Sequence, residues 1–446
     1  MEKLYTLKVL PEKTSEKHIY LSDYQLCKFG FTLEQNLILQ VGYNQLAVEV
    51  AQYNINSDLS TLYLSDTAFI DLTYYQGEAL SLILVSNNKL VLGATLGLTI
   101  SKNAFIKIDK SAIIKKRALL ALEKGIFLYS FNLKTVDWEK NLVIAYCLNP
   151  INKEWVKKTI PVPQIIYDRA SFPGPKTIIG YKQRGKVKNI LWVNSTRTFG
   201  KWETFQALKS IETTKNYVPE TTLLTLSNLT KLLKKYEYCF IKGNYGRNGS
   251  QVFRAEKRKN YYLLKSGGDV VKTHKFLSLD QLYTYIRKGL GKETILQQGI
   301  YLANIGNCPF DMRILVQKNI LNEWIISALN FRIAKPGAIV TNFAAGARDA
   351  FLAPGENLLH PNLSWEKIKD ITFKVVNAME VSFGILGEIG LDVALDNNNK
   401  LWLLEANSRP SGVAYREAPA EACKQIFGLP LDYSKYLTKR MLHEKG

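Results

Sequence analysis

Hydrophobic and polar positions change rhythm along the chain and divide it into three stretches. Residues 1–105 carry short apolar runs (LILQVGY, QLAVEVAQY, STLYLS, LSLILV) rich in β-branched or aromatic residues and separated by polar turns, a pattern that predicts strands. NNKLVLG reads as a hairpin arm entered through Asn-Asn. No catalytic residue types concentrate here, so the stretch reads as a small β-rich accessory domain.

The pattern changes over residues 106–215. SAIIKKRALLALEKGIFLYSF has helical spacing that ends at Gly125 and passes into an apolar run, a helix followed by a strand. NLVIAYCL, VPQIIYDR and KNILWVNS are further strand candidates, and FGKWETFQALKS reads as a helix beginning near Lys201. Strands alternating with helices predict an α/β unit with a largely parallel sheet. Ligands of such sheets bind at the carboxyl ends of strands, where Asp168, Arg169 and Asn194 would fall.

Residues 216–440 read as a larger α/β or α+β unit. VPETTLLTLSNLTKLLKKY continues as a helix, and YCFIKG is a strand leading into a glycine-containing loop and a hairpin. SLDQLYTYIRKGL is a helix, followed by strands TILQQGI and FDMRILVQ. The segment from EKIKDITF to LLEAN gives a helix and two strands joined by Asp-Asn-Asn-Asn. The chain is therefore an α/β and α+β multidomain protein, and its 446 residues fit two or three domains.

Composition narrows the classes of function. Lys and Arg outnumber Asp and Glu by 59 to 39, a net charge of +20, which concentrates anions without choosing among them. The charge alone supports a nucleic-acid reading, and no helix-turn-helix, finger or RRM signature accompanies it. Five widely spaced cysteines form no CxxC, and four histidines form no HExxH, which argues against a cysteine or histidine metal centre. The N-terminus lacks the uninterrupted apolar core of a signal peptide, and no apolar run approaches the ~20 residues of a membrane span. These features read as a cytoplasmic protein without membrane insertion.

Three constellations carry chemistry. In FIKGNYGRNGSQVF, residues 240–253, Lys242 near a strand end can pair with phosphates. A loop with Gly246, Gly249 and Ser250 can bend close to them and offer backbone N–H groups. Neither GxxxxGK[ST] nor GxGxxG is present, and a plain hairpin turn is the alternative. In DMRILVQ, Asp311 and Arg313 share one strand face, so the arginine can hold a phosphate or carboxylate with the aspartate orienting it. A structural ion pair is the alternative. In GEIGLDVAL and LWLLEANSRP, Asp392 lies in an apolar strand, and Glu405 and Asn407 lie two residues apart on one face. Three hard oxygen ligands on neighbouring antiparallel strands suit Mg²⁺, and Arg409 continues the alternation.

In this order the constellations resemble the ATP-grasp superfamily, and more narrowly its YheC/YheD-like proteins, which are associated with endospore coats. VPQIIYDR, WVNSTRTFGKW, VPETTLL, IVTNFAAGA and GEIGLDVALDNNNKLWLLEANSRPSG also carry the likeness, which is strongest over residues 160–412. The resemblance implies an ATP-grasp fold in two subdomains at 216–440, preceded by an α/β domain at 106–215 and the small β domain at 1–105. It implies a Mg²⁺-dependent ligase that activates a carboxylate with ATP for attack by an amine or similar nucleophile. Small-molecule or peptide carboxylates and amines would be substrates. The alternative it implies is a spore-coat or envelope structural protein with an anionic or coat partner and little turnover.

Residue by residue, the resemblance makes Lys201 and Lys242 ATP-contacting lysines and Asn244–Ser250 the phosphate-covering loop. Gln297, Gln298 and Ile300 become the hinge beside adenine, with glutamine where many members carry glutamate. Arg313 becomes the phosphate arginine, with Arg332 and Asn342 near phosphate or acceptor. Asp392, Glu405 and Asn407 become the Mg²⁺ ligands, and Arg409 the arginine that follows them. The Gly pair usual near IVTNFAAGA reads Ala345–Gly346 here.

Overall fold

The computed structural model describes residues 4–9, 15–53, 59–69, 72, 78–86, 88–170, 182, 189–245, 252–267, 271–290, 293–341, 346–411 and 418–443. The chain forms two compact units. One contains Met1–Asn194, Lys318–Glu323 and Lys424–Gly446, and the other Ser195–Gln317 and Trp324–Cys423.

In the first unit, among the described residues, seven strands between Leu4 and Leu92 close into a barrel. Closure leaves no open sheet edge. Alternation sets the barrel's inner face: Leu37, Leu39 and Val41 of the Asn36–Val41 strand are buried with Val48, Val50, Leu62 and Leu90. The helix Asp23–Phe29 opens on a capping box between Ser22 and Gln25 and closes on Gly30 at φ +69°, as sequence chemistry favours.

A six-stranded sheet accompanies the barrel. Its central strand, Thr95–Thr99, is wholly buried and runs parallel to Phe127–Asp137 on one side and Ile165–Asp168 on the other. The helix Ala112–Glu123 connects the first pair, capped by Ser111. The edge towards Trp155–Pro161 is antiparallel. At the carboxyl end of the central strand, Thr99 Oγ1 donates to Asp168 Oδ1 at 2.5 Å, and the Arg169 amide donates to Thr99 Oγ1 at 3.2 Å.

The second unit is built on two antiparallel sheets, each with helices on its apolar face. The first is ordered Thr221–Leu223, Thr294–Gln298, Tyr238–Gly243, Val252–Lys257, Tyr262–Ser266, Thr273–Phe276. Cys239, Ile241, Leu264 and Leu296 pack against Leu229, Leu232, Leu282 and Ile286 of the helices Leu226–Lys235 and Leu279–Leu290. Period 2 therefore sends Tyr238, Phe240 and Lys242 to the opposite face. The stretch VPETTLLTLSNLTKLLKKY, read as opening with proline and threonines before a helix, begins as a short strand, and the helix starts after Thr225, whose hydroxyl accepts from the Asn228 amide.

The second sheet is ordered Arg348–Leu352, Trp324–Ile333, Cys308–Lys318, Glu388–Leu395, Leu401–Asn407. The 19-residue helix Trp365–Phe383 is capped by Ser364 and buries Ile371, Val375, Val376 and Met379 in one core with Leu391 and Val393. The turn between the last two strands uses Asn399 at φ +63°, a left-handed position that asparagine tolerates.

Candidate functional site

Most candidate residues of the second unit that lie among the described residues sit on or beside strands of its two sheets. Glu388–Leu395 and Leu401–Asn407 pair with Asp392 opposite Glu405 and Gly390 opposite Asn407. A bulge follows, since Val393 pairs with Leu403 and leaves Leu404 as the extra residue. Such a bulge re-aims side chains beside it. Gly390 is required by close approach: a Cβ there would stand 2.8 Å from Pro410 Cβ.

Asp392 is held from two sides. Arg313 donates through Nε to Asp392 Oδ1, and through Nη2 to Oδ2 at 3.0 Å. Arg332 Nη2 lies 3.1 Å from the same Oδ2. Burial works to raise the Asp392 carboxyl, but the two guanidiniums outweigh it and hold it below the ordinary carboxylate range. Arg332 meets Asp311 bidentately, Nε to Oδ1 at 2.7 Å and Nη2 to Oδ2 at 2.5 Å, and Thr341 Oγ1 donates to Asp311 Oδ2 at 2.5 Å. Burial disfavours the Arg332 charge, yet Asp311 and Asp392 prevail and raise its pKa. Asp311 and Arg313 do share a strand, but Asp311 orients Arg332, while Arg313 is oriented by Asp392. Asp349 faces Arg332 in register, and burial raises its pKa.

A second group gathers beside this network. Lys201 opens the helix Lys201–Lys209 and places Nζ 3.3 Å from Glu405 Oε1. Lys242 Nζ donates to Gln297 Oε1 at 2.6 Å, and Gln297 Nε2 reaches Thr221 Oγ1 at 3.3 Å. Burial pulls the Lys242 ammonium down to about 8; the Glu405 charge resists this and Lys201 adds to it. Lys201, Gln297, Leu404 and Glu405 line one narrow recess with Phe199 and Val218.

The remaining sequence candidates fall as follows. Asn244 is buried and caps the Lys201 helix: its carbonyl accepts from the Lys201 amide at 3.2 Å and its Oδ1 from the Trp202 amide at 2.8 Å. Gly200, the N-cap residue, has no side chain to do this, and a Cβ there would collide with the Glu203 carboxylate. Glu203 also accepts from Asn244 Nδ2 at 3.0 Å and from the Tyr245 hydroxyl at 3.1 Å. Gln298 is drawn aside by the Glu220 amide, which donates to its Oε1 at 3.1 Å. Ile300 is buried, and its carbonyl accepts from the Tyr238 hydroxyl at 2.6 Å. Arg409 is half-buried, two residues beyond Asn407. Gly246, Gly249, Ser250 and Asn342 lie outside the described residues.

Sequence reasoning missed Glu203, Thr341 and Asp349. An acidic residue in the first turn of the Lys201 helix was a visible signal for Glu203. Nothing local marks the other two, which matter only through the strands beside them.

The donor set Asp392, Glu405 and Asn407 offers carboxylate and amide oxygens, the ligand type of a hard cation, and the buried Asn407 Nδ2, without a hydrogen-bond partner among the described residues, is a donor suited to an anion's oxygen beside it. No group of three or more His, Cys, Asp or Glu side chains placed to hold a metal occurs among the described residues.

A model of the family described as YheC/D like ATP-grasp matches residues 189–437. The endospore coat-associated protein YheD of Bacillus subtilis (strain 168) is 25% identical over 456 aligned residues, covering 97% of this chain and 94% of that protein. YheC of the same organism, also named endospore coat-associated, is 24% identical, covering 74% of this chain and 92% of its own. A D-alanine–D-alanine ligase of Buchnera aphidicola subsp. Schizaphis graminum is 31% identical over 112 residues, 25% of this chain and 36% of that enzyme.

Proposed function

The chain belongs to the YheC/D-like ATP-grasp family, and from that premise we propose that it is an ATP-dependent ligase joining a carboxylate to an amine or similar nucleophile. The observation that carries this reading is the Lys201–Glu405 ion pair, close enough to Lys242 for the Glu405 charge to act on its ammonium, beside an Asp392 fixed by two arginines. Cations around a hard-ligand set are what phosphoryl transfer uses.

Asp392, Glu405 and Asn407 would hold Mg²⁺, which supplies charge neutralisation at the nucleotide phosphates. Lys201 and Lys242 set the positive charge that the phosphates meet, and Asn244, held by Glu203, ties the end of the Tyr238–Gly243 strand to the Lys201 helix. The hinge from Gln297 to Ile300 would border adenine. In the reaction a substrate carboxylate oxygen bonds to the γ-phosphorus and the bond to ADP breaks. An amine then bonds to the acyl carbon, phosphate departs with the electron pair, and the amine loses a proton. Arg313 and Arg409 would offset charge during these steps.

The test is Mg²⁺-dependent phosphate release against a panel of amino acids and short peptides, with Glu405→Gln alongside. Release that appears with one acceptor and disappears in the variant supports ligation. Release that is equal in both proteins removes Glu405 from the mechanism. The names of the two Bacillus relatives favour a second reading, a coat-associated assembly component with little turnover. Retention in coat extracts by a Glu405→Gln protein as complete as by the unaltered chain would favour it.

A further inference from the structure

One end of the first sheet of the second unit carries a charged recess that the ligase reading does not use. We propose that it is a docking site for an acidic peptide segment. The recess, about 590 Å³ and open to solvent, lies within the roughly 300–1,000 Å³ of ligand pockets, and its open side leaves room for a peptide to run on beyond it.

Its floor is Glu256, 2% exposed. One buried carboxylate there meets three cations: Arg254 at 3.0 Å, Lys265 at 2.9 Å, and Arg258. A single aspartate or glutamate cannot neutralise three charges, so the cluster stays net positive. Burial works to raise the Glu256 carboxyl, and the three cations keep it below its usual range, hence ionised. Arg254 also lies 3.8 Å from the centre of the Tyr238 ring, which fixes the guanidinium.

Further positive charge comes from the tip of a hairpin. Lys257 and Lys259 flank Arg258 in the hairpin between Val252–Lys257 and Tyr262–Ser266, closed by the Arg258 amide donating to the Tyr261 carbonyl at 2.9 Å. Both lysines are exposed, and neither has an ion pair among the described residues. Lys234 adds a third such charge from the last turn of the helix Leu226–Lys235, where it offsets the negative end of the helix dipole.

The chemistry favours carboxylates on a peptide over a phosphate backbone. The cations of the lining stand apart on the helix end, the strand and the hairpin tip, a spacing that separate glutamate side chains can meet one by one, and the exposed Glu237 carboxylate among them disfavours an unbroken run of phosphates. Tyr238 lines the recess and lies on the same strand face as Lys242, four residues and roughly 13 Å along the strand at ~3.3 Å per residue. A peptide seated in the recess is thereby presented on the face that carries Lys242. This last consequence rests on the ligase reading; the docking itself does not.

The experiment is fluorescence anisotropy of a labelled octaglutamate with the full chain at 50 and 150 mM salt. Two double variants are compared, Lys257→Glu with Lys259→Glu, and Lys134→Glu with Lys140→Glu, a pair of exposed lysines in the first unit. Each lowers the net charge by four, so long-range attraction falls equally. The expected result is a loss of affinity of about tenfold or more in the hairpin variant, little change in the control, and ATP affinity unchanged in both. Equal losses in the two variants, or no loss in the hairpin variant, would overturn the site. Tighter binding of an eight-nucleotide thymidine strand, lost in the hairpin variant alone, would overturn the peptide assignment. Octaglutamate binding that persists in a chain unable to bind ATP would count against the ligase reading only.

Discussion

The second unit holds two groups of charged side chains that solve burial differently. Asp311, Arg313, Arg332 and Asp392 match two carboxylates to two guanidiniums through paired hydrogen bonds, and Thr341 satisfies Asp311 further. Lys201, Lys242, Glu405 and Asn407 set two cations against one carboxylate and leave an amide nitrogen without a partner among the described residues. A matched network fixes a strand face, and through Asp392 it would offer a cation one carboxylate whose position is already set. Positive charge beside hard oxygen donors is the arrangement that the proposed joint binding of nucleotide and Mg²⁺ would use. The first group reads as the floor of the site and the second as its receptor.

The sharpest way to break this division is to remove the single carboxylate of the receptor group. Glu405→Gln is expected to lower turnover by about 100-fold or more, the scale of losing one electrostatic contact in a preorganised site, while leaving the urea midpoint near that of the unaltered chain. If the urea midpoint falls as steeply as turnover, Glu405 belongs to the floor instead. Arg332→Met makes the reverse demand. It leaves Asp311 and part of Asp392 buried without their partner and should cost about 3–5 kcal/mol of stability, read as a lower urea midpoint for the second unit. An unchanged midpoint would show that the network is not structural.

A third prediction concerns pH. The Lys242 pKa is lowered to about 8 in the folded chain from an ordinary 10.5. Between these values the unfolded chain binds the extra proton, so stability contributed through Lys242 rises as pH goes from about 8 towards 10.5. Nucleotide affinity should move oppositely, weakening as pH rises through about 8 and the ammonium is lost. Lys242→Arg keeps its charge and should flatten that titration; an unchanged inflection in the variant would assign it to another group. The smallest effect is expected at the margin of the receptor group, where Asn244→Ala removes the cap of the Lys201 helix at about 1 kcal/mol. A loss well above that in thermal unfolding would mean that Asn244 does more than cap.

The receptor group was the more legible of the two in sequence. Glu405 and Asn407 alternate at the end of an apolar strand, and Lys242 ends another, so period 2 alone placed each on a polar face. The likeness to a known family supplied Lys201. The floor was harder, because an ion pair between strands depends on register, and register is a tertiary property. Arg313 sits two residues from Asp311, yet its partner is Asp392, 79 positions away. Arg332 reaches Asp311 across 21 positions, and Asp349 faces Arg332 only because Arg348–Leu352 pairs with Trp324–Ile333. The helical spacing of 226–235 was plain, but the strand just before it was not. Thr221–Leu223 has three residues, too few to show a period, and is a strand because Thr294–Gln298 pairs with it.

The division rests most directly on whether nucleotide and Mg²⁺ bind together at the receptor group. Calorimetric titration of a non-hydrolysable ATP analogue into the full chain, with and without Mg²⁺, measures this without requiring a second substrate. Tighter binding with Mg²⁺, abolished in Glu405→Gln and retained in Lys257→Glu, is the predicted result. Binding that is absent, or that is equally Mg²⁺-dependent in Glu405→Gln, would contradict it.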